Sequence, residues 1–113
     1  TLELIAMEII QHAGDGRHNV LEALDLLTAF DFRSANEKLS VAYTEIKKAH
    51  EAQTKAIQAV AGEEIAEEYS ILLTHAQDTL MTIYSEYNIS LKLTTIIEAM
   101  DSRIARLEEG NHV

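Results

Sequence analysis

Proline and cysteine are both absent from the 113 residues, and glycine occurs only four times. Without cysteine the chain has no disulfide framework, no thiol nucleophile and no cysteine-based zinc site. A reducing cytoplasm is the expected setting. Without proline, and with so few glycines, little interrupts a helix. Basic residues are scarce as well: 9 stand against 19 acidic ones, for a formal charge of −10. Such a surface argues against nucleic acid or anionic lipid as the main partner and favours basic proteins. No apolar run approaches the roughly 20 residues of a membrane span, so direct membrane insertion is not expected. No charged-apolar-small leader pattern opens the chain.

What remains is a chain of one-domain length with 47% hydrophobic residues, enough for one core. The pattern predicts an all-α fold of three helices in a single domain, residues 1–113, with a helical extension from about residue 88. The first helix runs from about Leu2 to Ala29, with a weak point at Gly14 and Gly16. Asp31 or Ser34 can cap the second, and Ser34 with Glu37 fits a capping box. That helix runs to about Ala61, with Gly62 as its terminator. The third begins near Ile65 and reaches about Glu109, roughly 65 Å at about 1.5 Å per residue. Asn88-Ile89-Ser90 is its one plausible break.

Apolar residues recur by fours and threes. The first helix gives Ala6, Ile10, Ala13, Arg17, Val20, Leu24 and Leu27. The second gives Ala35, Leu39, Ala42, Ile46, Ala49, Gln53, Ala56 and Val60. The third gives Tyr69, Leu72, Ala76, Thr79, Ile83, Glu86, Ser90, Leu93, Ile97, Met100, Ile104 and Leu107. Such heptad seams predict an up-down-up antiparallel bundle with a left-handed supercoil and a long third helix. The polar interruptions fall at similar heights on this counting. His75, Asp78, Thr79 and Gln53, with Arg17 and His50, are therefore expected in one zone.

An imidazole is a competent nucleophile near neutral pH. Once phosphorylated it needs hydrogen-bond donors around it, which Thr79, Gln53 and Arg17 can supply. Asp78 can orient the imidazole or bind a metal. Blander readings stay open. Gln53 and Thr79 can set register in a seam. Arg17 can snorkel, Glu86 and Ser90 can mark a helix break, and the tyrosines at 69, 84 and 87 can simply pack. His12, His18 and His112 receive no role. Glu-x-x-His, His-Glu-x-x-His, Walker, Gly-x-Gly-x-x-Gly and Gly-x-Ser-x-Gly patterns are all absent. Gly14-Asp15-Gly16-Arg17 is too short and wrongly placed for a phosphate loop.

Four segments carry a likeness to a known family: 8-EIIQHAGDGR-17, 23-ALDLLTAFDF-32, 49-AHEAQT-54 and 74-THAQDTLMT-82. Over about residues 3 to 83 the chain resembles the enzyme IIA components of the lactose/cellobiose (chitobiose) type in the bacterial sugar phosphotransferase system. The resemblance implies a three-helix protomer in a homotrimer, without an organic cofactor. It implies that His75 accepts phosphate from the phosphocarrier protein HPr and passes it to a cysteine of the sugar-specific IIB component, with the membrane component IIC acting downstream. It also implies that Asp78, one per subunit, gathers at the trimer axis around a divalent cation such as Mg2+. Three departures stand out. Thr79 replaces the family's second motif histidine. Phe30 replaces a usual glycine. The segment after Tyr84 lacks the family's lysine-bearing continuation, and its apolar seam offers extra trimer contact. The Thr79 departure leaves room for a degenerate regulator that keeps the fold without phosphotransfer. A plain metal-binding bundle is a third reading.

Overall fold

The computed structural model describes residues 1–62 and 71–110. It contains three α-helices: α1, Leu2–Leu27; α2, Phe32–Ala61; and α3, Ile71–Gly110. They pack up-down-up into a rod of 73 × 18 × 17 Å. No strand occurs among the described residues. The expected start of the third helix near Ile65 lies outside them, as do Tyr69 and His112.

Local chemistry sets each end. The Thr1 side chain accepts from the Leu4 amide and caps α1. At the other end, α1 stops at Leu27, two residues short of the expected Ala29. The Asp31 amide donates to the Leu26 carbonyl and the Phe30 amide to that of Leu27. This is a Schellman-type closure. It places Phe30 at φ 59°, in the left-handed region, where glycine is the usual residue. Asp31 then caps α2 by accepting from the Ser34 amide. The Ser34–Glu37 capping box therefore does not form: Ser34 already lies inside the helix, and Glu37 pairs with Arg33. Gly62 ends α2 at φ −80°, so its conformation is not left-handed.

The buried seams keep the four-three spacing but sit one residue away from the expected line at several positions. In α1 the buried stripe is Leu2, Ala6, Ile9, Ala13, Gly16, Val20, Ala23 and Leu27. Gly16 takes the place expected of Arg17, which is exposed. A Cβ at Gly16 would lie 3.0 Å from Ile46 Cγ1 and 3.4 Å from the Ala42 carbonyl oxygen. The glycine is thus a point of close approach between α1 and α2, not a weak point, and α1 passes through it unbroken. In α2 the stripe passes through Ala52 rather than Gln53, and Val60 is exposed. In α3 it is Ala76, Leu80, Ile83, Tyr87, Ser90 and Thr94. Thr79 and Glu86 flank this stripe, half-buried. Each helix faces two neighbours and buries a stripe wider than a two-stranded seam. Where the lines differ, Ile10, Leu24 and Gln53 flank the buried stripe half-buried, while Arg17 and Val60 lie outside it.

The expected break at Asn88–Ser90 is absent, and α3 is continuous. The buried Ser90 Oγ donates to the Glu86 carbonyl at 2.8 Å, and Thr94 Oγ1 to the Ser90 carbonyl at 2.9 Å. These bonds satisfy the hydroxyls within the helix itself. From Ala99 to Gly110 every residue but Asp101 is exposed, so the last part of α3 projects beyond α1 and α2.

Candidate functional site

Ala76, Leu80 and Ile83 anchor α3 in the core. Their burial fixes the rotation of the helix and turns His75, Asp78 and Thr82 outward, all three exposed. Thr79, one turn after His75, is half-buried beside α1. Arg17 comes from α1, directly after the Gly16 contact that sets its backbone position. These five residues and Ile83 line one open cleft of about 260 Å3.

The Arg17 guanidinium forks onto Glu86: Nε lies 3.3 Å from Oε1, and Nη2 donates to Oε2 at 3.3 Å. Arg17 is therefore neither a seam residue nor a free snorkelling side chain. Glu86, offered from the sequence as a break marker, is its partner. His75 and Asp78 make no hydrogen bond or ion pair among the described residues. Within one chain, then, Asp78 does not orient the imidazole.

Four of the expected residues thus meet: His75, Asp78, Thr79 and Arg17. Gln53 and His50 do not line the cleft. The Gln53 amide oxygen is buried and has no hydrogen-bond partner among the described residues. The His50 ring stands edge-on to Tyr84 at 5.1 Å between centroids. Tyr84 stacks with Tyr87, which meets Tyr43, so the tyrosines at 84 and 87 pack as expected. Burial foremost, with Tyr43 and Tyr84 nearby, pushes the Tyr87 phenol up. Sequence reasoning missed Thr82 as a neighbour of His75 and Glu86 as the partner of Arg17. The signal was available: residues 75, 79, 82 and 86 are spaced to share one helix face.

Elsewhere, ligand atoms of His12, Asp15 and Glu45 lie within 4.8 Å of one another. His12 Nδ1 stands 2.9 Å from Glu45 Oε2, and Lys48 Nζ 3.2 Å from Oε1. The His12 hydrogen bond, with Lys48 second among the favourable causes, holds the Glu45 carboxyl below its usual range against the opposing effect of burial. The chain's own groups thus balance this carboxylate, and His12 joins α1 to α2. His18 pairs with Glu22.

A second surface feature runs along the outer face of α3. Ile89, Ile96, Met100 and Leu107 are each more than half exposed. An open groove of about 770 Å3 begins there, lined by Met81, Ser85, Ile89, Lys92 and Ile96 among others. Asp78 precedes Ile89 by three turns of about 3.6 residues, so it stands on the same face. No helix among the described residues is long and apolar enough to cross a membrane.

Residues 4–98 match the family model described as "PTS system, Lactose/Cellobiose specific IIA subunit". The lichenan-specific phosphotransferase enzyme IIA component of Bacillus subtilis is 36% identical over 97 residues, covering 86% of this chain and 87% of that protein. The lactose-specific EIIA component of Staphylococcus epidermidis is 42% identical over 82 residues, covering 72% and 77%. Among solved structures, the cellobiose-specific enzyme IIA of Bacillus anthracis superposes with a TM-score of 0.83 at 30% identity, covering 90% of this chain and 93% of that one.

Proposed function

The chain belongs to the lactose/cellobiose-specific IIA family of the phosphotransferase system, and we propose that it is a cytoplasmic phosphohistidine carrier for uptake of lactose-, cellobiose- or chitobiose-type sugars. The observation that carries this reading is His75, exposed on a continuous helix in a cleft it shares with Arg17, Thr79 and Thr82. In the reaction a ring nitrogen of His75 attacks the phosphorus of phosphorylated HPr. The donor's N–P bond breaks as the new one forms, and the ring proton that His75 gives up is matched by one that the departing HPr imidazole takes up. A cysteine thiolate of the IIB component then takes the phosphoryl group, and the His75 N–P bond breaks. The IIC component acts downstream, without contact to this chain.

The residues around His75 work by position and charge. Arg17 offers a forked donor suited to phosphoryl oxygens. Thr79 and Thr82 offer hydroxyls. Gln53 stands outside the lining and has no part in this arrangement. Exposure of His75 suits both exchanges, since each partner must reach the same nitrogen.

The outer face of α3 supports a homotrimer. Ile89, Ile96, Met100 and Leu107 form an apolar strip that a single chain leaves open. Three parallel copies meeting along it bring three Asp78 carboxylates together. Oxygen donors of this kind fit a hard divalent cation of the Mg2+ class. When bound, the cation would offset the mutual repulsion of the three carboxylates.

One observation favours a second reading. Thr79 supplies a neutral hydroxyl where family members carry histidine, so a regulator that trimerises without phosphotransfer is the alternative. The test incubates the protein with phosphoenolpyruvate, Enzyme I and HPr and weighs it. The carrier gains the mass of one phosphate, and His75→Ala gains none. A wild-type chain that stays unmodified selects the regulator.

A further inference from the structure

We propose that Glu86 is a displaceable counter-ion: in the unloaded protein it holds the Arg17 guanidinium three turns along α3 from His75, and it yields Arg17 to the phosphoryl group once His75 is loaded. This rests on one part of the proposed function, that His75 is the residue that bears the phosphoryl group.

The geometry supplies each part. Glu86 lies eleven residues, three turns, after His75 on the same face of α3, with Thr79 and Thr82 between them. Arg17 binds it through two parallel contacts of 3.3 Å across the α1–α3 boundary, while also lining the cleft of His75. An arginine without a partner would lose this single orientation to side-chain freedom. Glu86 therefore keeps the guanidinium aimed before any phosphate arrives.

The pair is also built to break. The Arg17 and Glu86 side chains are 53% and 37% exposed, so water screens their attraction. A phosphoryl group on His75 brings close to two negative charges and three acceptor oxygens. It offers the same fork more charge than one carboxylate does. Asp78 is the carboxylate that lines the cleft, yet the fork is on Glu86, outside the lining, and Asp78 is unpaired among the described residues. After the exchange, the released Glu86 carboxylate still competes for Arg17. That competition keeps the phosphoryl group loosely enough held to be passed on.

The experiment follows the Arg17 Nε–Hε signal by 15N NMR in the full chain. His75 is loaded in one sample by HPr and in another by phosphoramidate, a chemical phosphoryl donor to histidine. The expected result is a shift of the Arg17 signal on loading by either donor, absent in His75→Ala. In Glu86→Gln the unloaded signal moves toward that of a free arginine. The HPr exchange equilibrium then shifts several-fold toward phosphorylated His75, while Glu86→Asp behaves as wild type. A merely structural Glu86 would lower thermal stability and leave both readouts unchanged. An Arg17 signal that ignores loading overturns the inference, as does a wild-type equilibrium in Glu86→Gln. A chain loaded only by phosphoramidate, with a responding Arg17, overturns the carrier reading and upholds this one. Failure of both donors overturns both.

Discussion

Phe30 holds a backbone conformation that suits glycine, with φ at 59°, and its largely exposed ring meets the edge of Phe32. A non-glycine residue there costs roughly 1–2 kcal/mol. Phe30→Gly is expected to raise the unfolding free energy by about 0.5–1 kcal/mol, net of the greater freedom of glycine in the unfolded chain. Chemical denaturation checks this, and a loss of stability would mean that the Phe30 ring matters more than its backbone. Glu45 carries a pH signature. Its carboxyl is held below its usual 4.5, first by His12. A lowered carboxyl contributes stability that is fully present above the unfolded value and fades as the pH falls through the folded one. Stability therefore declines below about pH 4.5, and Glu45→Gln flattens that decline. Denaturant titrations across the acid range measure it. An unchanged acid limb in the variant would remove the His12–Glu45 pair from the balance.

The three helices, their order and their four-three spacing are legible in the sequence, because periodicity survives every other uncertainty. The rotation of each helix is less so. A count of apolar residues passes over Gly16, since glycine has no side chain to score, and selects the adjacent Arg17. Only the close approach of Ile46 and Ala42 reveals why the seam runs through glycine. The same half-step separates Gln53 from the buried Ala52, and Thr79 from the buried Leu80. Within the site, His75, Asp78, Thr79 and Arg17 come together as expected, because they keep similar heights whichever edge is buried. Gln53 and His50 do not: the His50 ring packs against Tyr84, and the Gln53 amide oxygen is buried outside the cleft lining. Ser90 reads as a break from composition, but its hydroxyl is satisfied at the Glu86 carbonyl and the helix runs through it. The projecting end of α3 makes its own prediction. Met100 and Ile104 are 58% and 50% exposed and touch no neighbouring helix core. If they lie between copies of the chain, Ile104→Asp weakens self-association by tenfold or more while the protomer stays helical. Sedimentation and circular dichroism test this together; an unchanged assembly would place the contact elsewhere.

The whole molecule is a thin acidic rod, 73 Å long with a formal charge of −10, and its candidate nucleophile lies on the outer surface. Charge of one sign favours basic partners and makes their association salt-sensitive. Gathering several copies adds carboxylates to carboxylates, which is where a divalent cation would act. Millimolar Mg2+ is expected to raise the melting temperature of the wild type and to leave Asp78→Asn unaffected. Equal gains in both proteins would move the cation away from Asp78. Carriage of phosphate, however, requires both receipt and delivery through one residue. The decisive measurement loads the chain through HPr, removes the donor, adds a IIB domain and follows the mass of both proteins in time. The chain should lose one phosphate as the IIB domain gains one, with His75→Ala inactive in both steps. Phosphate that never reaches His75, or that stays there while the IIB domain remains unmodified, would contradict the assignment of this protein as a carrier.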